Sequence, residues 1–294
     1  MRCGSDMLRA GAIAAISACI AGCATTPVTT TVATTNSSAA TAAASTNAHA
    51  RTADGAPPTK PAAPLVIGAI EPATRGVMAQ DLVRAPGTVA VYEVVDGARR
   101  RGSSKELLRE WIEWREQPDG SAVLTRVEER DGRVVERMEF VHKPEGALDL
   151  ARVDSITDRS RSEFATPLPF AADLASGAEL AGESAMTVRT LPKLAKRAEG
   201  SARRALRIAG ECTLSLRGEE LRATVVEVEF DVSLDVAKAR VRSRLFVVPG
   251  RGVVAEERSE SRDVLAVFRS TSDETTVLVS VEEGPAAAPA RPTP

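Results

Sequence analysis

Between Leu221 and Val248 the chain alternates with period two, and that alternation dictates strands. In "LRATVVEVEFDVSL" (221–234), Val226, Val228, Phe230 and Val232 share one parity, and Glu227, Glu229 and Asp231 share the other. In "KARVRSRLFVV" (238–248), Val241, Leu245 and Val247 share one parity, and Arg240, Arg242 and Arg244 the other. Successive strand residues point to opposite faces, so each segment is half apolar and half charged. Burial forces both apolar faces to one side, because a slip of one residue would turn the core set outward. Paired residues must then have opposite parity, which sets Asp231, Glu229 and Glu227 against the arginine row. Such pairs contribute roughly 0.2–1 kcal/mol each, less than burial of the Val and Phe side.

The same period runs from about Leu65 to Glu283. "TVAVYEVV" (88–95) is rich in strand formers. Pro118-Asp119-Gly120, Asp131-Gly132 and Pro144-Glu145-Gly146 are turn signals between short runs, which reads as consecutive antiparallel hairpins. "ELLREWIEWRE" (106–116) is ambiguous. Helical spacing would group Leu107, Leu108, Trp111 and Ile112; strand alternation would group Leu108, Ile112 and Trp114, and the turn that follows favours the strand. "GVVAEERSE", "VLAVFRS" and "TTVLVSVE" close the pattern. "PLPFAADLASGAEL" (167–180) reads as a non-strand crossing and "PKLAKRAEGSARR" (192–204) as a basic loop. Aromatics make up only 3%, so the core must be mostly Val, Leu, Ala and Ile. No long helix lies between strands, which disfavours parallel βαβ units. The expected fold is mainly β: a single antiparallel meander of about nine to eleven strands, forming a strongly curved sheet or half-barrel with few short helices.

The first residues follow a different rule. Arg2 and Arg9 precede the apolar run "AGAIAAISACI" (10–20), which is shorter than the roughly 20 residues a spanning helix needs and fits the apolar part of a secretory signal. Ile20-Ala21-Gly22-Cys23 comes next. An aliphatic residue, two small residues and a cysteine resemble the lipobox of bacterial lipoproteins. The resemblance implies that 1–22 is a signal peptide, that the Cys23 thiol receives a diacylglycerol, and that Cys23 becomes the first residue and is acylated again, as with palmitate. Each buried CH2 contributes about 0.8 kcal/mol, so more than one chain anchors stably. Ala24, where a retained lipoprotein of enteric bacteria would carry Asp, implies the outer membrane, with the folded part facing the periplasm. Residues 23–64 are the lipidated cysteine and a tether of Ala, Thr, Ser, Asn and Pro, too polar and too poor in large side chains to offset the entropy of ordering. Such a tether spans on the order of 35 Å. Residues 65–284 form the β-rich domain, and 285–294 are a second disordered tail.

Three motifs add a second resemblance. Pro167-Leu168-Pro169-Phe170, Gly177-Ala178-Glu179-Leu180 and Phe246-Val247-Val248-Pro249-Gly250-Arg251-Gly252-Val253-Val254 resemble those of a loosely defined group of uncharacterised bacterial envelope proteins, many of them lipoproteins. Arg251 departs from the aliphatic residue usual there. The resemblance implies an antiparallel half-barrel and no known enzymatic activity. Physically, Pro249-Gly250 suits the central positions of a type II turn.

Little in the folded part suggests chemistry. The chain has 38 basic and 40 acidic residues, a formal net charge of -2, and no clustered positive charge of the kind nucleic acid requires. His142 is the one histidine of 65–284, since His49 lies in the tether, and no G-x-S-x-G elbow is present. The cysteines are Cys3, Cys19, Cys23 and Cys212. Cys212 and His142 cannot fill a tetrahedral metal site, and Cys212 has the parity of Leu214 and Leu216, as a small buried hydrophobe would. Neither a catalytic residue, a cofactor nor a metal site is expected. The basic runs 99–102 and 193–204 could touch anionic headgroups but read more simply as solvated loops. The expected function is that of a non-enzymatic, lipid-anchored envelope protein whose domain binds an envelope partner or an apolar ligand held in the concave face. The alternative is a structural or assembly factor without a ligand pocket. Cys23→Ala is expected to abolish palmitate labelling and block signal cleavage, and metabolic labelling with the mass of the mature chain checks both.

Overall fold

The structure, a computed structural model, describes residues 64–96, 106–116, 122–143, 145–264 and 268–284. Ile20, Ala21, Gly22, Cys23, the basic run 99–102, the turn Pro118-Asp119-Gly120 and the tail 285–294 lie outside the described residues. The strands are β1 (Leu65–Ile67), β2 (Thr88–Asp96), β3 (Leu107–Glu116), β4 (Ala122–Arg130), β5 (Arg133–His142), β6 (Leu148–Ser155), β7 (Ser160–Ala171), β8 (Glu179–Thr190), β9 (Lys196–Leu216), β10 (Glu219–Leu234), β11 (Ala237–Val248), β12 (Gly252–Val264) and β13 (Phe268–Glu283). One short helix, α1 (Ala79–Leu82), precedes β2.

All 13 strands belong to one antiparallel sheet. From β2 onward each strand pairs with the next, and β13 pairs back onto β2, Leu278 opposite Tyr92. β2 to β13 therefore close a barrel, with β1 as an extra strand on β9. The expected half-barrel of nine to eleven strands is corrected: the sheet closes, and closure removes its edges. Two segments read as loops account for much of the difference. The crossing at 167–180 is shorter than read: β7 continues through Pro167 and Pro169 to Ala171 and β8 starts at Glu179, which leaves 172–178 as the connection. Both prolines are tolerated because β7 pairs with β8 only over 160–164, after which the Ser184 hydroxyl accepts from the Thr166 N–H at 2.9 Å. The basic loop at 192–204 is strand from Lys196. Its inward residues include Ala198, Gly200 and Ala202, too small to show an apolar alternation.

The late hairpin has the expected register. Asp231 faces Arg240, Glu229 faces Arg242 and Glu227 faces Arg244, with nearest N–O distances of 2.6, 3.6 and 3.5 Å. This ladder lies on the outer wall and extends sideways through Arg207 to Glu227 at 2.6 Å. Within 106–116, Leu107–Glu116 is strand β3, as the turn signal favoured. The Pro249-Gly250 corner is also as read: Gly250 has φ 74, and the Arg251 N–H donates to the Val248 carbonyl at 2.9 Å.

β9 is 21 residues long, roughly 70 Å if extended, far beyond the reach of β8. Past Arg207 it leaves β8 and continues with β10 as a hairpin, bent at a bulge between Val225 and Val226. The hairpin curls over the outside of the wall. Its Leu214 and Leu216 pack with Phe246, Ala255 and Val277 of β11, β12 and β13, and Arg217 at its tip reaches Glu93 of β2 at 2.5 Å. Cys212 is buried in this outer core. The chain from Pro64 to Gly87 forms a strap that runs from the hairpin across one end of the barrel to β2. It crosses where Gly210 lacks a side chain, since a Cβ there would stand 2.3 Å from the Glu71 carbonyl oxygen.

Phe230 belongs to the main interior core and Asp231 to the exposed ladder. Phe230→Ala is expected to lower unfolding free energy by about 3–5 kcal/mol and Asp231→Ala by about 0.2–1 kcal/mol, as read from urea titrations.

Candidate functional site: a capped polar cavity

The barrel interior is divided. From β6 to β11 the inward positions are mostly apolar, among them Leu150, Leu168, Met186, Val188, Phe230 and Val241, with Arg204 and a few serines between them. The other wall is charged. β3 contributes Glu110, β4 contributes Arg126, Glu128 and Arg130, β5 contributes Glu136, β12 contributes Glu256, Arg258, Glu260 and Arg262, and β13 contributes Glu274. The register aligns Glu110, Glu128 and Glu136 side by side on adjacent strands. Like charges directly opposite repel, so this row needs arginines.

Those arginines come from the same wall. Arg126 lies 2.6 Å from Glu110. Arg130 donates from Nε to Glu128 at 2.9 Å and, through both terminal nitrogens, to Glu274 at 2.9 Å each. Arg262 donates to Glu260 at 2.5 Å. Burial alone would raise the Glu128 carboxyl, but Arg130 and Arg126 outweigh it and hold it below the usual range. Glu110 ends raised by burial, against the pull of Arg126. Glu136 is pushed up to about 7, first by burial and then by the charge of Glu128, and among the described residues its Oε2 finds no donor. Arg204, on the apolar side, is brought down to about 9 by burial and by the like charge of Arg126. Burial also raises the Tyr92 phenol, whose hydroxyl donates to the Val253 carbonyl at 3.3 Å.

A cavity of about 130 Å³ remains between the two walls, lined by Tyr92, Glu110, Arg126, Glu136, Arg204 and Glu256 among others. The strap caps it: Asp81 and Leu82 of α1 and Arg84 after it are part of the cavity's lining. Arg84 donates to the Arg251 and Val253 carbonyls at 2.9 and 3.1 Å, and the Ala79 N–H donates to Asp173 at 2.8 Å. Farther back, Glu211 grips the strap. Its Oε1 accepts from the Thr74 N–H at 2.9 Å, the Thr74 hydroxyl at 3.0 Å and the Arg75 N–H at 3.2 Å, while Oε2 accepts from Arg222 at 2.9 Å. These bonds, the Thr74 N–H foremost, bring its carboxyl down to about 2.

The residues expected to carry function, Cys23 with Ile20, Ala21 and Gly22, lie outside the described residues. His142 ends β5 on the surface, its ring 6.5 Å from that of Trp114. The charged wall was missed from sequence, although a signal existed. "GVVAEERSESRDV" is polar on both parities, and a strand with no apolar face in a closed sheet must turn charges inward. In β4, Arg126, Glu128 and Arg130 share the parity of the buried Leu124. Among the described residues no three His, Cys, Asp or Glu side chains are grouped to hold a metal ion.

No family model matches the chain, and no curated protein matches it either. Among solved structures, a provisionally assigned exported protein with a YmcC-like fold from Bacteroides fragilis is 11% identical, with a TM-score of 0.38 over 68% of this chain and 98% of that one. A protein of unknown function from the DUF3598 family of Nostoc punctiforme is 12% identical, with a TM-score of 0.17 over 69% of this chain and 99% of that one. Neither likeness is close enough to support a statement about this chain. The class is defined by its own geometry: a closed antiparallel β-barrel with a capped, partly charged interior.

Glu136 generates a pH prediction. Between its ordinary pKa near 4.5 and its folded value of about 7, the folded chain keeps a proton that the unfolded chain has lost. Its contribution is therefore fully present below pH 4.5 and lost as pH rises towards 7. Glu136→Gln removes that loss. The variant is expected to gain stability over the wild type progressively across this window and to hold a constant gain above it. Urea midpoints at acid, neutral and mildly alkaline pH read the difference.

Proposed function

We propose that the protein is a non-enzymatic, lipid-anchored component of the bacterial cell envelope, held at the outer membrane through Cys23, whose barrel binds an envelope protein by its outer wall. The observation that carries this reading is a groove of about 470 Å³ on that wall, lined by Arg207, Glu227, Glu229, Arg242, Arg244 and Glu257. Both signs of charge stand there in fixed order, which suits selection of a partner by complementary charge. The outer wall also argues that the barrel stands in water, since a lipid-facing barrel needs an apolar outer belt and this one carries Asp231, Arg240, Arg242 and Arg244 at mid-strand. An apolar ligand fits poorly: the interior space is small beside the roughly 300–1,000 Å³ of ordinary ligand pockets, and nine of its 22 lining residues are charged. A structural factor without a ligand pocket is the competing reading, favoured by the same small interior space.

Site-specific photocrosslinking from position 242 in intact cells separates the two. One discrete adduct, lost when Arg244 is changed to Glu, is expected. A folded, membrane-bound protein that yields no discrete adduct from positions 207 and 242 would count for the structural factor.

A further inference from the structure

Every strand of the sheet has a neighbour on both sides except β1, which pairs with β9 alone. Its hydrogen bonds fix which groups look outward. The Arg217 N–H donates to the Pro64 carbonyl at 3.1 Å and the Gly68 N–H to the Thr213 carbonyl at 2.9 Å. In an antiparallel ladder the bonded residues alternate, so Pro64, Val66 and Gly68 face β9, and the N–H and C=O groups of Leu65 and Ile67 face away. Among the described residues no backbone partner meets those groups. Pro64 does not blunt this edge, because the donor it lacks belongs to the β9 side. From Pro64 to Ile70 the sequence carries no charge, although charge is a common protection of a strand edge. The Val66 and Ile70 side chains are 53% and 41% exposed.

This edge is its own complement. About a twofold axis at Val66, Leu65 stands opposite Ile67 of the partner subunit, and Ile67 opposite Leu65 of the partner subunit. Each such pair exchanges two hydrogen bonds, and both use only the groups that face away from β9. Leu65 and Ile67 are partly buried against the outer core of Leu214, Leu216 and Val277, so the pairing continues that apolar layer across the axis. The chain just before β1 is a poorer occupant, since Pro57, Pro58 and Pro61 lack the N–H a strand must donate.

We propose that β1 pairs with β1 of a second copy of this chain, making an isologous dimer at the root of the tether. The contact is distinct from the groove on the outer wall. It rests on the lipid-anchored reading for its strength. Three residues pair weakly in free solution, and two chains moored in one membrane meet at a raised effective concentration.

The test is cysteine cross-linking of the full chain in intact cells. Val66 meets Val66 of the partner subunit in a non-hydrogen-bonded pair, with Cα atoms about 4.5 Å apart, within the roughly 4.4–6.8 Å that a disulfide spans. Val66 is exposed, so cysteine is tolerated there, and Cys212 is buried. Mild oxidation with copper phenanthroline is expected to convert Val66→Cys to a covalent dimer. Ile70→Cys, roughly 27 Å from its counterpart at 3.4 Å per residue, is expected to stay monomeric. Monomer at both positions, equal dimer at both, or an adduct of Val66→Cys with a different protein overturns the proposal. Membrane fractionation of the same cells reports the anchor separately. Soluble chain that still cross-links at 66 counts against the anchor alone, and membrane-bound chain that does not counts against the pairing alone.

Discussion

A barrel this wide must fill its own inside, and every other feature answers to that constraint. Eight strands enclose just enough room for side chains, and wider barrels leave space. A chain with 3% aromatics has few large apolar groups to occupy it. The apolar wall uses what there is, with Phe140, Phe164 and Phe230 among its Leu and Val. The opposite wall fills space with the long stems of arginine and glutamate. Arg130 bonded twice to Glu274 ties β4 to β13 across two intervening strands. Buried ion pairs add little net stability, yet losing one partner is strongly destabilising. The network therefore acts less as glue than as a condition that only the native register satisfies.

The outside repeats the theme. The β9–β10 hairpin outgrows the wall and covers its outer face, making a second core from residues that a simple barrel would leave exposed. Phe246, Ala255 and Val277 are fully buried although their parity is the outward one. The strap then closes the end that the hairpin leaves open.

How much of this could be read from the sequence depended on contrast between the two parities. Where one parity was apolar and the other charged, as in 221–248, strand, register and ladder were all legible. Where both parities were polar, as in β12, or the inward residues were small, as in early β9, the strand or its inner face was hidden. Closure itself was not legible, because the β13–β2 pairing joins segments at opposite ends of the domain and no local pattern encodes it. The polar cavity was invisible for a related reason: a row of alternating charge reads as a solvated face until the sheet is known to close around it.

The strap has a mechanical meaning. Its first residues pair with the hairpin tip, where the Arg217 N–H donates to the Pro64 carbonyl at 3.1 Å. Any tension arriving along the chain before Pro64 falls first on the three residue pairs of β1 and next on the hold of Glu211 on Thr74 and Arg75. The barrel wall, whose strands share load around a closed ring, feels it last. A pull from the N-terminal side would thus peel back the cap and uncover the interior while leaving the ring intact, so that access to the cavity becomes a function of force.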